Sequence, residues 1–461
     1  MTLNRLHLIV GFGLFAFACG DDPSNSGPCD PLANTGCANG LTCELVPSGE
    51  AACFAPVMLR GDVFDLADNS GINNARVVAL DVNGAPRSSV AVTVAGNYEL
   101  RIPSDRSADG APLGGKVTLR VDAPGYLGFP TGIRQPLPID TATAVLDGGA
   151  YVVNSALTRV GLARLASTSG TASLSGHIAT VGVSRGVLVV AETAAGVGFS
   201  GIADTTGEYK ILNLAAESYT VRAYAVGANY TPKSIALTAG QAGVVDLSLD
   251  PLGASQVSGT VNLVSGAPAT SVILVVASTF NPLLARGETP PGLRAPAPGI
   301  TPNITGAWSI AGVPAGRYVA LAAFENDGAV RDQSGGGNTS LVFIDVVAGQ
   351  NLAITQGFKI TPALELIGPG ASAAESVTAA PTLSWVRVSS AKDYHVQVFD
   401  SQGAVVMTHH TNDGAVVSVL YSGPLQSGMY YQLRVTAFDA SSPTPFPLTN
   451  TEDLRGVFFV P

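Results

Sequence analysis

Short hydrophobic runs, some alternating with polar residues and some continuous, recur along most of the chain, and glycine or proline bounds them. The runs are rich in valine, as in Val187–Ala191 and Val272–Ala277. β-Branched residues favour strands, alternate positions of a strand share a face, and glycine and proline interrupt helices. The pattern therefore predicts an all-β protein built from tandem antiparallel β-sandwiches.

Three successive segments after residue 57 share one order of elements. Each opens with a strand that carries a glycine, at Gly61, Gly176 and Gly259. An apolar strand follows, and then a glycine-x-aromatic-x-aliphatic element whose ring is Tyr98, Tyr209 or Trp308. Because residues i and i+2 of a strand point the same way, the ring and the aliphatic side chain are expected to fill the core.

This arrangement resembles carboxypeptidase regulatory-like domains, which are transthyretin-like sandwiches also grouped with carbohydrate-binding-like folds. The resemblance covers most of residues 57–362 and implies sandwiches at 57–162, 170–251 and 254–362. Copy one departs from the family by an extra loop around 104–115, and copy three by an insertion at 280–302. These domains are accessory modules in the enzymes that carry them, so the resemblance implies a fold more than a function.

Residues 363–461 follow another pattern, in which Trp385 precedes a strand around Tyr394 and a later Leu425, Gly428 and Tyr431. These elements, in this order, resemble a fibronectin type III domain. The resemblance implies that Trp385 is the buried core tryptophan. It also implies that Tyr431 is a tyrosine corner, whose phenol binds the chain's own backbone.

The N-terminus is typical of an export signal, since Arg5 precedes an apolar run over Leu6–Ala18 that is too short to span a bilayer. Ala16-Phe17-Ala18 fits an ordinary cleavage site. Together with Cys19 and Gly20 it also resembles the lipobox of bacterial lipoproteins. We therefore expect a signal peptide at 1–18, lipid on Cys19 and a flexible tether at 19–28.

Five cysteines are present, and an odd number cannot all pair in an exported protein. If Cys19 carries lipid, four remain within 29–54: Cys29, Cys37, Cys43 and Cys53. The C-x2-4-C pairs that zinc usually requires are absent. Two disulfides in a small cysteine-rich module are therefore expected, with three pairings open.

Composition narrows the function classes. The chain has 53 glycines, 30 prolines and a net charge of −10 from 24 basic and 34 acidic residues. Lysine and arginine form no cluster, which argues against nucleic acid as a partner.

Catalytic, metal and cofactor residues are not identified, and a non-enzymatic protein is expected. Gly182–Gly186 spells G-x-S-x-G, but an apolar strand follows it, whereas the hydrolase elbow needs a helix. None of the five histidines has glutamate three residues later, as zinc peptidases require. Arg60–Asp62 spells RGD inside a predicted strand, and Asp65 and Asp68 lack EF-hand spacing.

The proline-rich insertion 280–302 is the candidate ligand loop, with Phe280, Arg286 and Arg294 as its candidate residues. Long loops in compact domains are commonly functional, and surface insertions are tolerated at little entropic cost. We expect this segment to be a surface loop that can be shortened without loss of the fold.

The leading hypothesis is a lipoprotein of the bacterial outer membrane or cell surface that serves as an adhesion, binding or spacer module. Its partners would be the membrane, through lipid, and a surface polysaccharide or protein. Carbohydrate binding by the sandwich loops is the alternative, and a hydrolase or zinc peptidase lacks the residues.

Overall fold

A computed structural model describes residues 29–31, 34–130, 136–167, 171–179, 186–282, 286–297, 300–322, 327–332, 341–439 and 445–461. Strands dominate these ranges, and they form pairs of packed sheets. The helices found there are single 3₁₀ turns, none of which has the length or apolar character to cross a bilayer. The predicted all-β fold of tandem sandwiches is therefore confirmed.

A disulfide-bonded hairpin forms the N-terminal module. Its strands are β1 (Thr42–Leu45) and β2 (Ala51–Phe54). Cys29 bonds Cys43, and Cys37 bonds Cys53, across sequence separations of 14 and 16 residues. Both predicted disulfides are therefore present. Cys43 and Cys53 lie opposite each other in the hairpin, so each strand is fastened to a different point of the preceding loop.

The first sandwich packs a sheet of order β11-β3-β10-β9, with β6 also paired to β3, against a sheet of order β5-β4-β7-β8. Its elements are β3 (Val57–Asp65), β4 (Arg76–Leu80), β5 (Ala91–Val92), β6 (Asn97–Ile102), β7 (Lys116–Asp122), β8 (Ile139–Asp140), η1 (Thr141–Thr143), β9 (Val145–Asp147), β10 (Ala150–Val153), η2 (Ala156–Thr158) and β11 (Arg159–Leu162).

The second sandwich packs the sheet β15-β12-β19 against β14-β13-β16-β18, and β17 pairs with β20. Its strands are β12 (Ala172–His177), β13 (Val187–Thr193), β14 (Gly198–Ala203), β15 (Glu208–Leu214), β16 (Ser218–Tyr224), β17 (Asn229–Tyr230), β18 (Lys233–Ala236), β19 (Ala242–Val244) and β20 (Leu249–Asp250).

The third sandwich packs the sheet β24-β21-β29-β26, with β28 also paired to β21, against β23-β22-β25-β27. Its elements are β21 (Ser255–Leu263), β22 (Val272–Val276), η3 (Ala277–Thr279), β23 (Arg294–Ala295), β24 (Ala307–Val313), β25 (Gly316–Ala322), β26 (Ala329–Arg331), β27 (Val342–Val346), β28 (Leu352–Ala353) and β29 (Phe358–Pro362).

The fourth sandwich packs the sheet β30-β32-β35 against β31-β38-β36-β33-β34, with β37 also paired to β36. Its strands are β30 (Leu366–Gly368), β31 (Glu375–Ser376), β32 (Thr382–Trp385), β33 (Asp393–Asp400), β34 (Val405–His410), β35 (Ser418–Leu420), β36 (Tyr430–Asp439), β37 (Phe446–Asn450) and β38 (Val457–Phe459).

The core of the fourth sandwich contains Trp385 and Tyr431, both fully buried. Trp385 packs against Tyr394 with ring centroids 5.2 Å apart. The Tyr431 hydroxyl accepts a hydrogen bond from the backbone N–H of Gln426, five residues earlier, at 2.9 Å. This bond closes the turn that leads into β36, which is the role that a tyrosine corner has.

One contact recurs in the first three sandwiches. The opening-strand glycine lies directly opposite the ring of the glycine-x-aromatic strand, as Gly61 opposite Tyr98, Gly176 opposite Tyr209 and Gly259 opposite Trp308. All three rings are buried. In the first two copies the ring reaches across the glycine, and its hydroxyl donates to a carbonyl beyond it: Tyr98 to Thr158 at 2.7 Å, Tyr209 to Val245 at 2.6 Å.

Strand β13 is apolar on both faces because it belongs to two cores. Val187, Val189 and Ala191 lie in the core of the second sandwich. Leu188 and Val190 lie instead in the core of the third sandwich, together with Leu274. The second and third sandwiches therefore share buried apolar surface rather than meeting through a flexible linker.

The recurring contact predicts that Gly61→Ala destabilises the first sandwich by about 3 kcal/mol, because overpacking a filled core forces backbone and side chains apart. A Cβ at Gly61 would lie 1.9 Å from the Thr158 carbonyl oxygen and 2.7 Å from the Tyr98 hydroxyl. Urea unfolding of the two proteins measures the change. Gly115→Ala in the same sandwich is the control, since a Cβ there meets nothing within 4 Å. Equal stability of the two variants would contradict the proposed close approach.

Candidate functional site

The candidate ligand loop contains a buried stretch, so it is not a surface loop throughout, and its removal without loss of the fold remains a prediction. Residues 290–296 are buried, and Leu293 and Ala295 lie in the third sandwich's core. β23 pairs with β22, which places Arg294 opposite Ile273. Prolines disfavour a regular strand in this segment, but two residues between them are enough to extend the sheet. Arg294 is only 9% exposed and is not presented to solvent as a ligand-binding residue.

Arg286 and Phe280 are also held by intramolecular contacts. The Arg286 guanidinium donates to the Pro130 carbonyl oxygen of the first sandwich at 2.5 Å. Burial lowers the pKa of Arg286, and Glu288 opposes that shift. Phe280 is partly buried and packs edge-to-face on Phe343, with centroids 6.5 Å apart. The three candidate residues therefore do not converge on one open site.

Glu288 joins three sandwiches at one point. Its Oε1 accepts from Arg120 of the first sandwich at 3.0 Å and from the Ser200 hydroxyl of the second at 2.7 Å. Its own backbone N–H donates to Thr279 at 2.9 Å. Burial alone would raise the pKa of Glu288, but Arg120, Ser200 and Arg286 hold it below its usual value. We call Arg120, Ser200 and Glu288 the triple junction.

Two asparagines connect neighbouring sandwiches through backbone groups. The Asn213 side chain accepts from Gly125 at 2.7 Å and donates to Ala123 at 3.0 Å, across the first and second sandwiches. The Asn229 side chain accepts from Ala315 of the third sandwich at 2.7 Å. An amide side chain has both a donor and an acceptor, so each asparagine can bond backbone N–H and C=O groups on the two sides of a boundary.

Glu192 adds a second carboxylate between the second and third sandwiches. Its Oε1 accepts from the Ser278 hydroxyl at 2.8 Å and from the Tyr224 hydroxyl at 3.1 Å. Tyr224 in turn packs edge-to-face on Tyr318, with centroids 5.9 Å apart. The boundary therefore combines a shared apolar core with satisfied polar groups.

Glu452 lies at the boundary between the third and fourth sandwiches. Its Oε1 accepts from the backbone N–H of Gly328 at 2.6 Å, and the Thr449 hydroxyl donates to the Pro362 carbonyl at 2.7 Å. Glu452 is 9% exposed. Burial raises its pKa to about 7, Asp327 adds to the rise, and the Gly328 N–H and Arg455 oppose it.

The extra loop of copy one holds the cysteine-rich module. Arg106, which is fully buried, donates to the Glu44 carboxylate and to the Ala55 carbonyl at 2.6 Å. The Arg106 backbone N–H also donates to the Leu45 carbonyl at 3.0 Å. Burial raises the pKa of Glu44, while Arg106 opposes the rise. The sequence showed this loop only as an insertion, since nothing local indicates its partner.

The cysteines serve the disulfides described above. Cys29, Cys37 and Cys53 also form the one group of three or more metal-ligating side chains within the described ranges, and each is bonded to another cysteine. Cys19, the signal peptide and the tether lie outside the described residues, so lipid on Cys19 remains a prediction.

The RGD tripeptide lies in β3, and its charged side chains are paired within the sheet. Arg60 contacts Glu99 at 2.7 Å, and Asp62 contacts Arg159 at 2.9 Å. Nearby, the Asp65 carboxylate accepts from the Tyr126 hydroxyl at 2.8 Å and from Arg164, which also pairs with Asp68. Asp65 and Asp68 both pair with the Arg164 guanidinium, so their positions are explained without a calcium ion.

The residues 182–185 of the G-x-S-x-G sequence lie outside the described residues. Gly186 is described, and β13 begins directly after it. A strand in that place differs from the helix that a nucleophile elbow requires.

No protein-family model matches the chain, and no curated protein matches it. Among solved structures, the Bacillus anthracis TIE protein is 11% identical, with coverage of 85% of this chain and 68% of that chain and a TM-score of 0.15. A shaft pilin from Lactobacillus rhamnosus GG is 9% identical, with coverage of 43% and 98% and a TM-score of 0.16.

The major pilin subunit of Bacillus cereus is likewise 9% identical, with coverage of 66% of this chain and 99% of that chain and a TM-score of 0.17. Likenesses of this degree support no argument about function.

The triple junction predicts that Glu288→Ala loosens the first three sandwiches, because it leaves Arg120 and Ser200 without their shared acceptor. Loss of charge-assisted hydrogen bonds costs about 1–3 kcal/mol. Small-angle scattering should give a larger maximum dimension than in the parent, and limited proteolysis should become faster. Glu217→Ala, at an exposed position of the second sandwich, is the control. Unchanged scattering and proteolysis of Glu288→Ala would show that apolar packing alone fixes the arrangement.

The boundary between the third and fourth sandwiches predicts a pH dependence of stability. A folded-state pKa of about 7, above the ordinary 4.5 for glutamate, means that the folded chain holds this proton more tightly than the unfolded chain. The stability that this bound proton contributes is fully present below about pH 4.5 and is lost as the pH rises through 7. The free energy of unfolding changes by about 3 kcal/mol over that range. The glutamine of Glu452→Gln cannot ionise, so this variant should not lose stability in that way as the pH rises.

Urea unfolding at pH 5 and pH 8 checks this expectation. The stability of Glu452→Gln relative to the parent should rise between the two values by about 2–3 kcal/mol. Glu365→Gln, an exposed change near the same boundary, should show no such rise. A constant difference between Glu452→Gln and the parent would contradict the assignment.

Proposed function

We propose that this chain is a non-enzymatic surface lipoprotein whose four sandwiches form a stiff scaffold between a lipid-anchored N-terminus and its distal end. Among the adhesion, binding and spacer hypotheses, the spacer role has the strongest support. The single observation that carries it is the triple junction, where one carboxylate of the third sandwich accepts hydrogen bonds from both preceding sandwiches.

Stiffness is the property that a spacer requires, and it depends on boundaries that resist bending. Boundaries between domains of one chain are commonly small and polar, and relative motion is then the default. Here the second and third sandwiches share an apolar core, and asparagine side chains join backbone groups across two boundaries. Their combination favours a single mechanical unit.

The N-terminal module supports the same role at the membrane-proximal end. Its two disulfides and the buried Arg106–Glu44 pair fasten the residues that follow the proposed tether to the first sandwich. Removing one partner of a buried ion pair typically costs several kcal/mol, so such a pair holds its two elements firmly once formed. A pull on the proposed lipid anchor would thus be transmitted to the scaffold through covalent and buried contacts.

Polysaccharide binding is the second candidate. Phe343 on β27 is 49% exposed and lies beside Phe280, and the Arg317 guanidinium lies 5.7 Å from the Phe343 ring centroid. An exposed ring beside a charged donor can pack against a sugar face and bind its hydroxyls. The aromatic residues Tyr98, Tyr209 and Trp308 do not contribute to such a surface, because they are buried.

Lipid on Cys19 predicts that Cys19→Ser releases the protein from membranes. Each buried CH₂ of an acyl chain contributes about 0.8 kcal/mol, so several long chains hold a protein firmly. In a Gram-negative host, the parent should sediment with membranes and incorporate labelled palmitate, whereas Cys19→Ser should be soluble and unlabelled. Cys37→Ser, which removes a disulfide cysteine, is the matched control and should remain labelled. A parent protein without label would contradict the proposal.

A further inference from the structure

Two histidines face each other on neighbouring strands of the fourth sandwich. His395 on β33 lies directly opposite His410 on β34. One position along, the Thr411 N–H donates to the Tyr394 carbonyl at 3.1 Å, so that pair is of the hydrogen-bonded kind. Antiparallel pairs alternate, and His395–His410 is therefore a non-hydrogen-bonded pair, in which Cα atoms and side chains come closest.

The two imidazole rings are stacked on each other at one place on the sheet. Their centroids are 4.3 Å apart and their planes differ by 8°. A tetrahedral zinc ion bonded at about 2.0–2.1 Å to two imidazole nitrogens separates those nitrogens by about 3.3 Å. An imidazole binds a metal ion in the plane of its ring, so the His395 ring must turn about its side-chain bonds before both nitrogens can face one ion.

A carboxylate fixes the orientation of one ring. His410 Nδ1 lies 2.9 Å from Asp393 Oδ2, and the Asp393 side chain is mostly buried. When Nδ1–H donates to that carboxylate, Nε2 carries the free lone pair. Metal-bound histidines commonly have such a carboxylate on the ring nitrogen that does not bind the metal.

The other ring has a nitrogen without a protein partner. His395 Nε2 is buried, and no hydrogen bond to it is found within the described part of the chain. Buried polar atoms are seldom left unpaired, so this nitrogen is available to a ligand.

We propose that His395 and His410 bind a divalent transition ion of the zinc, copper or nickel class, with Asp393 as the positioning residue. Imidazole nitrogen suits these ions, whereas calcium and magnesium prefer oxygen. Two protein ligands leave the remaining coordination positions to water or to a group from a partner. The ion would fasten β34, the edge strand of its sheet, to β33.

The test uses the purified chain with its disulfides intact, and Zn²⁺ at pH 7.5 as the probe. Calorimetric titration should show one site, and the thermal midpoint should rise with Zn²⁺ but not with Mg²⁺. His395→Gln and His410→Gln should each weaken binding at least tenfold. Asp393→Asn should weaken it less than either, because it changes only the orientation and basicity of one ligand.

His409→Gln is the matched control, since His409 is exposed and lies opposite Val396, on the other side of β34. It should bind Zn²⁺ as the parent does. Thermal midpoints in chelator establish whether each variant is folded, and Co²⁺ absorption in the visible range reports imidazole coordination independently of stability. Equal Zn²⁺ affinity of the parent and a folded His395→Gln variant would overturn the proposal, as would a parent that binds no ion.

Discussion

The fold depends first on the contact between a glycine and an aromatic ring. In the first two sandwiches a tyrosine crosses the opening-strand glycine and bonds a carbonyl on its far side, so one residue links three neighbouring segments of a sheet. In the third, Trp308 takes the place of tyrosine and packs on Phe358 instead. A side chain at the glycine would separate the ring from the sheet. The packing of each sandwich therefore depends on the absence of a side chain at this glycine.

The second constraint is that several strands are apolar on both faces. Strand β22 places Val272, Leu274 and Val276 in one core and Ile273 and Val275 in another. A sheet with two apolar faces must bury both of them. One face packs within its own sandwich, and the other packs against a neighbouring sandwich or the 280–302 segment. This packing fixes the positions of polar boundary groups such as Glu192 and Glu288, so that each meets its hydrogen-bond partners.

Much of the fold could be predicted from the sequence because strand periodicity and turn residues are local. The two disulfides followed from counting, but their pairing did not, since Cys43 and Cys53 lie opposite each other and yet bond other partners. The triple junction joins residues 168 positions apart, and no local pattern encodes such a pair. The unbroken apolar run Val187–Ala191 was the available indication that a second core existed.

The shared core also imposes an order on folding. Synthesis and the proposed export both deliver the chain from its N-terminus, so the second sandwich is complete before Val272–Val276 emerges. Until then Leu188 and Val190 have no cover, and an exposed apolar strand face invites association with other chains. Fragments that end near residue 250 should therefore be less soluble than the full chain, because they leave Leu188 and Val190 uncovered.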